Sequence, residues 1–380
     1  FEAAADGAPG EVPPEAAAML LNAYALCSYL RPELWARLLE AVVLPRLSEF
    51  STAQLALLAN AVARCAHAIP GAARTLAGLA DHLVSHGHLE RDISIEDLTY
   101  IADAYSRLRL AANEEFNALL AACGLRHMSL FRGKQLAMFS HAISRLPSAG
   151  RDAFLSYACR QALPAALPDC GLGELALLVG ALVSTGTPAP QGVADALFAE
   201  VLRKCRAEAF AAPDRQPSVG NSAVAALMDG TVALSPAGGR PALAALRPLA
   251  LRLAGDGGLT VHSISSVLAA HAHLAVRDAD LIEQMSRGAA LAPEGKLPAA
   301  VVGRLLVSCG ALGAPLPEAL LRHVEAELLR LLPRMPLDAV ARVLLATALA
   351  GFQHFSAGAV DALVARAGSL CEGAVVAKGA

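Results

Sequence analysis

The chain has 380 residues and a formal net charge of −3, which excludes a general polyanion binder, because such proteins are usually basic as a whole. Hydrophobic residues make up 55% of the chain and aromatic residues only 4%, so Ala, Leu and Val must build the core, as in closely stacked helices. Mean hydropathy is +0.47, yet no apolar run approaches the roughly 18 residues of a spanning helix, and we expect a soluble protein without a membrane span.

A small residue recurs nine times at the same point of an apolar helical pattern, six positions after an apolar anchor. Successive anchors are separated by 38, 43, 38, 39, 49, 40, 38 and 38 residues. A period near 38 fits two helices and two turns, which is the unit of an α-solenoid. We therefore predict an all-α fold, an α-solenoid of about nine helix-turn-helix repeats of roughly 38 residues each. The small residues are Ala23, Ala61, Ala104, Ala142, Ala181, Gly230, Ala270, Ser308 and Ala346.

Close approach between helices explains the small side chain at this position. Where one helix crosses its neighbour, a Leu would push the two axes apart, whereas Ala, Gly or Ser permits a short interaxial distance. We therefore expect the nine small residues to be buried at helix crossings.

In chain order, residues 1–13 read as a lead-in segment, 14–371 as the helical-repeat solenoid and 372–380 as a C-terminal tail. An irregular insertion is expected near 207–217 and again near 235–241, where Pro and Gly accumulate. Two subarrays, 14–206 and 218–371, are an alternative, but the small residue keeps its phase across the gap, which favours one continuous stack. Helix starts are marked by Ser51, Ser94, Thr260, Pro298 and Pro336.

Cysteine and histidine patterns predict neither a disulfide framework nor a metal site. The eight cysteines are scattered without any C-x-x-C, so they read as buried reduced thiols. His82, His86 and His88 form H-x-x-x-H-x-H, in which the first two share a helix face. No further ligand stands at a diagnostic interval, which favours a solvated helix end over a metal site.

Catalytic signatures are also missing from the sequence, since it contains no G-x-S-x-G, Walker or H-E-x-x-H motif. We therefore predict a protein that is not an enzyme and uses no cofactor, metal or catalytic residues. An enzyme with an unfamiliar site is the alternative.

Polar residues recur five and nine positions after the anchors, and two such positions share a helix face. Three successive repeats carry both members of the pair: Asn60 with Arg64, Asp103 with Arg107, and His141 with Arg145. We call these six residues the ladder. One interpretation is a solvated face with an ordinary ion pair between Asp103 and Arg107. The other is an RNA-binding surface in which Arg contacts phosphates or bases while Asn, Asp or His contacts a base edge.

A local excess of positive charge overlaps the ladder. Residues 123–160 carry a net charge of +5 despite the acidic chain. This basic patch is a second candidate RNA-binding set, and arginine suits planar contacts with phosphates and bases, although a high arginine content can also reflect genomic base composition. Arg145 of the ladder also lies in this segment, and the basic patch itself consists of Arg126, Arg132, Lys134, Arg151 and Arg160.

Two segments carry a family resemblance: Leu98–Tyr105, of sequence LTYIADAY, and Leu136–Ala142, of sequence LAMFSHA. Together with the arginines from Arg64 to Arg145 and the 38-residue period, they resemble the organellar helical-repeat proteins, namely the octotricopeptide and heptatricopeptide repeat proteins and the FAST-kinase-like repeat region. The resemblance implies residence in mitochondria or plastids and binding of rRNA or an organellar transcript.

The sequence thus favours a non-catalytic, RNA-associated scaffold, built into a mitochondrial ribosome beside neighbouring proteins of that complex. The alternative is a protein–protein adaptor, or an accessory or assembly subunit of a mitochondrial complex, whose concave face binds peptide or helix partners.

Overall fold

The computed structural model describes residues 12–90, 93–108, 114–185, 190–209, 220–255, 259–290, 297–313, 318–349 and 355–379. In these ranges all regular structure is helical, so the all-α prediction is confirmed. None of the helices described is both long enough and apolar enough to cross a lipid bilayer.

The chain divides into two compact units, Phe1–Ala196 and Leu197–Ala380, and the division falls within one helix. The helices of the first unit are α1 (Pro14–Leu26), α2 (Pro32–Arg37, continued to Glu49), α3 (Thr52–Cys65), α4 (Ala72–Ser85), α5 (Ile95–Leu108), α6 (Glu114–Arg126), α7 (Gly133–Arg145), α8 (Arg151–Tyr157), α9 (Leu163–Ala166), α10 (Leu172–Ser184) and the start of α11 (Gln191–Ala209). A π-helical turn, Ala158–Ala162, joins α8 to α9.

The first unit contains a row of helices in contact, each of which opens one of the predicted repeats. Helix α1 packs on α3, α3 on α5, α5 on α7, and α7 on α10. The intervening helices α4, α6 and α8 also contact one another in sequence. The apolar pattern agrees with this arrangement, because α3, α5, α7 and α10, which pack between two helices of the row, each bury at least seven residues.

The second unit is described by the rest of α11 and by α12 (Asn221–Leu234), α13 (Pro236–Gly255), α14 (Val261–His273), α15 (Ala279–Ala290), α16 (Ala299–Leu312), α17 (Glu318–Leu331), α18 (Leu337–Leu349) and α19 (Ala357–Gly379). Helices α12, α14, α16 and α18 pack in that order, and α13, α15, α17 and α19 form a parallel series of contacts.

Seven of the nine recurring small residues are buried, as we expected for residues at helix crossings: Ala61, Ala104, Ala142, Ala181, Gly230, Ala270 and Ser308. The prediction is wrong for Ala23, which is exposed. The buried stripe of α1 follows Ala17, Ala18, Leu21 and Ala25, so Ala23 lies outside the face that packs on α3. The side chain of Ala346 lies outside the described residues.

The structure differs from the predicted irregular segments. Residues 236–241 form the first turns of α13, because Pro236 suits the first position of a helix and the Ser235 hydroxyl accepts from the Gly238 N–H at 3.4 Å. Gly238 also lies close to Phe198, whose ring would be 2.6 Å from an added Cβ atom. The expected tail also continues as helix, since α19 extends to Gly379. Two predicted segments lie mostly outside the described residues: residues 1–11 of the lead-in and residues 210–217 of the other irregular insertion.

Local capping explains several helix starts. Ser51 begins α3 with a capping box, in which its Oγ accepts from the Gln54 backbone N–H and its own N–H donates to the Gln54 side chain. The hydroxyl of Thr260 accepts from the Ser263 N–H at the start of α14. Such caps satisfy backbone donors that the first helical turn leaves unpaired.

Candidate functional site

The ladder occupies three neighbouring helices of the first unit. Asn60 and Arg64 lie on α3, Asp103 and Arg107 on α5, and His141 and Arg145 on α7. Since α3 contacts α5 and α5 contacts α7, the structure brings the three pairs onto adjacent helices. The six residues are exposed or half-buried, which leaves them on the edge of the packed row.

Arg107 is ion-paired within its own helix. Its Nη2 lies 2.7 Å and its Nε 2.8 Å from one carboxylate oxygen of Asp103. Asp103 is the more buried partner, with 16% of its side chain exposed against 44% for Arg107. The ordinary ion pair of the plainer interpretation is therefore present, and any phosphate that binds Arg107 must share the guanidinium with Asp103.

His141 stands on the last helix of the ladder and lies beside the next helix of the row, α10. Burial, and then the positive charge of Arg145, lowers the pKa of His141, while Asp103 acts in the opposite direction. Gly180 of α10 lies beside the imidazole, since an added Cβ there would be 3.6 Å from its Nδ1. The electrostatic effect of Asp103 on His141 indicates that neighbouring ladder positions act on one another.

Arg64 and Asn60 form the least occupied pair of the ladder. Arg64 is exposed, and within the described part of the chain neither its guanidinium nor the Asn60 amide has a hydrogen-bond or ion-pair partner. These two groups are accordingly available to a ligand without breaking an existing interaction.

The basic patch falls at both ends of α7. Arg126, Arg132 and Lys134 surround the turn that enters this helix, whereas Arg151 begins α8, after the turn that leaves it. At 1.5 Å per residue, Lys134 and Arg145 are about 16 Å apart along the helix axis. Arg160 lies further along the chain, in the π-helical turn Ala158–Ala162. The positive charge of the segment is consequently spread over more than two locations.

Three arginines of the basic patch already form hydrogen bonds or an ion pair within the protein. Arg126 donates to the Glu90 carbonyl at 3.2 Å, Arg151 pairs with Asp152 at 2.9 Å, and Arg160 donates to the Ser156 hydroxyl at 2.7 Å. Arg132 and Lys134 are exposed and make no such contact with the described residues.

The histidine cluster is more buried than the solvated helix end we predicted. His82 is only 8% exposed, and its ring centroid lies 4.1 Å from that of His86 and 5.3 Å from that of His88. The prediction was wrong for His82 because it lies on the buried face of α4 with Leu79. Burial, and then the two neighbouring imidazoles, lowers its pKa.

This cluster does not amount to a metal centre. Among the residues that the structure describes, no group of three or more His, Cys, Asp or Glu side chains could hold a metal ion. The eight cysteines are free thiols, six of them buried, and burial raises the pKa of Cys309 to about 12. Buried thiols with such raised pKa values are weak nucleophiles.

The second unit contains a cleft that the sequence analysis did not predict. It has a volume of about 660 Å³ and lies along the row formed by α14, α16 and α18. Small and aliphatic side chains line most of it: Ala269, Ala272, Ala300, Gly303, Val307, Ala311, Ala339 and Val343. Its charged residues are Arg304, Arg334, Arg342 and Asp338, and His273 also lines it.

Arg304 crosses the surface beside this cleft. Its Nη1 donates to Asp229 of α12 at 2.8 Å and to Ser266 of α14 at 3.2 Å. The guanidinium therefore connects three successive helices of the row and is held in one place.

A repeat signal could have revealed the cleft. Ser266, Arg304 and Arg342 each stand two positions after an anchor, in successive repeats, and Asp229 and His273 stand five and nine positions after theirs. Arg304 and Arg342 fall outside positions five and nine, on which the ladder was predicted. No protein-family model matches this chain, and no curated protein is significantly similar to it in sequence.

Proposed function

We propose that this protein is a non-catalytic, RNA-associated helical-repeat scaffold, built as an α-solenoid from about nine helix-turn-helix repeats. Its place is an organellar ribonucleoprotein, specifically a mitochondrial ribosome, with a plastid as the alternative compartment. The resemblance to organellar helical-repeat proteins supports the compartment, and the ladder supports the ligand.

The observation that carries the proposal is the arrangement of the ladder on three helices in contact. Arg64, Arg107 and Arg145 stand at the same repeat position on these helices, and Asp103 contributes a carboxylate beside Arg107. A row of guanidinium groups with adjacent amide, imidazole and carboxylate groups suits an RNA strand, because Arg contacts phosphates or stacks on bases and the other groups contact base edges.

The experiment measures binding of fluorescein-labelled single-stranded RNA by anisotropy over a series of salt concentrations. Replacing Arg64, Arg107 and Arg145 by Ala removes up to three phosphate contacts. The slope of log affinity against log salt should then become shallower by about 2, since each contact to a single strand contributes roughly 0.7.

The matched control replaces three arginines away from the ladder by Ala: Arg74, Arg277 and Arg322. It changes the net charge by the same amount, so a general electrostatic effect would weaken both variants equally. An unchanged salt slope in the ladder variant would refute the proposal. The adaptor alternative predicts instead that the purified protein binds polypeptides and ignores RNA at physiological salt.

A further inference from the structure

The cleft of the second unit has an apolar floor that is open to a ligand. Val307 is 38% exposed, although it is an aliphatic residue in the middle of α16. Gly303, one turn earlier, leaves space above the helix, because no atom lies within 4 Å of an added Cβ. Exposed apolar surface of this kind is removed from water when an apolar ligand covers it.

Positive charge borders this floor. Arg334 is exposed and has no hydrogen-bond or ion-pair partner within the described part of the chain. Arg342 contacts Asp338 only at 3.8 Å, and both side chains are largely exposed, so this pair leaves the guanidinium available. Two guanidinium groups beside an apolar floor complement a ligand that carries carboxylates next to apolar side chains.

The lining is poorly suited to RNA. Among the described residues that line the cleft there is no Phe, Tyr or Trp, and single-stranded nucleic acids are commonly held by bases that stack on such rings. The abundance of Ala and Gly instead permits the close approach of another backbone. The volume of about 660 Å³ is within the range of ligand-binding clefts.

We propose that this cleft binds a polypeptide segment of a partner protein, in which apolar side chains cover the floor and at least one Asp or Glu side chain contacts Arg334 or Arg342. The fixed guanidinium of Arg304 forms one wall of the site. This interaction is independent of RNA binding by the ladder, which lies in the first unit.

The test selects binders from a displayed library of random peptides of about 12 residues, using the full chain as bait. Selected peptides are then synthesised with a fluorescent label and titrated with the protein. We expect the selected sequences to combine acidic and apolar residues. Replacing Arg334 and Arg342 together by Ala should weaken their binding at least tenfold.

Two further variants separate the site from general effects. Gly303→Leu places a bulky side chain on the floor at a position where no atom lies within 4 Å of the added Cβ, and it should abolish peptide binding. Circular dichroism checks that the helices persist. The control replaces Arg322 and Arg330 of α17 by Ala. Both pair with acidic residues of that helix, Glu318 and Glu327, and the change in charge is the same, so binding should be unaffected.

The proposal is overturned if no peptide is enriched over a selection without protein, or if enriched peptides bind the Gly303 and double-arginine variants as well as the original protein. It is also overturned if a labelled 12-nucleotide oligouridylate binds in a way that depends on Arg334, Arg342 and Gly303 while peptides do not, since the cleft would then be an RNA site. Loss of RNA binding in the ladder variant alone has no bearing on this result.

Discussion

Gly124 offers a stringent test of how the helices pack in the first unit. It lies in α6, and a Cβ added there would overlap Cε1 of Phe139 and be 2.9 Å from Cε2 of Phe154. These rings are fully buried and meet edge-on, with centroids 5.1 Å apart. Carbon atoms in favourable contact are about 3.5–4.0 Å apart, so Gly124→Ala must displace both rings.

Two opposing effects determine how much Gly124→Ala changes the free energy of unfolding. Replacing Gly by Ala inside a helix stabilises the folded state by about 1 kcal/mol through backbone entropy. Inserting a methyl group into a full core costs about 1–3 kcal/mol, and overlap with two immobile rings places this site at the upper end. We therefore expect a net loss of about 2 kcal/mol in the free energy of unfolding.

Urea denaturation followed by circular dichroism measures this loss. With a slope of about 3 kcal/mol per molar urea, the midpoint should fall by about 0.7 M. The control is Gly173→Ala in α10, where no atom lies within 4 Å of the added Cβ, and a gain of about 0.5 kcal/mol is expected there.

If Gly124→Ala proves as stable as the original protein while Gly173→Ala gains stability, α6 does not approach the rings of Phe139 and Phe154 as described. Phe139→Leu provides an additional check, because a smaller side chain makes room for the new methyl group. The double variant should then be more stable than the sum of the two single effects predicts.

Two predictions concern charged groups. Burial lowers the pKa of His82 below about 6.5, so its neutral state favours folding at neutral pH, and this stabilisation is lost as the pH falls through the folded-state pKa. The urea midpoint of His82→Gln should therefore fall less than that of the original protein between about pH 7.5 and 5.5. An equal fall in the two proteins would contradict this prediction. Arg247 donates to Asp278 at 3.0 Å and to Asp280 at 3.2 Å. Arg247→Met should therefore lower the free energy of unfolding by about 1 kcal/mol, as measured in thermal or urea melts. An unchanged stability would show that these contacts contribute nothing.

Several local features of the fold could be predicted from the sequence because short-range chemistry determines them. The apolar period predicted helices throughout, and Ser51 and Thr260 marked two helix starts through their side-chain caps. Proline and glycine near residue 238 were misleading. There the chain forms the first turns of α13, in which Gly238 lies close to Phe198, a contact between residues distant in the chain.

The candidate sites likewise combine features that could be predicted from the sequence with features that could not. The ladder could be proposed because its members recur at one repeat position, and the structure places them on helices in contact. The burial of His82 and the pairing of Arg304 with Asp229, 75 residues away, could not be anticipated from spacing on one helix. Both depend on which neighbouring helix faces the side chain.

By itself the sequence determined that this protein is helical, where several of its helices begin, and which side chains share a helix face, since these properties depend on residues only a few positions apart. Only the tertiary structure decided that Ala23 is exposed while Ala142 is buried, and that Arg334 and Arg342 border a common cleft. The physical reason is that burial and charge proximity are properties of contacts between helices, and the three-dimensional arrangement of the helices determines those contacts.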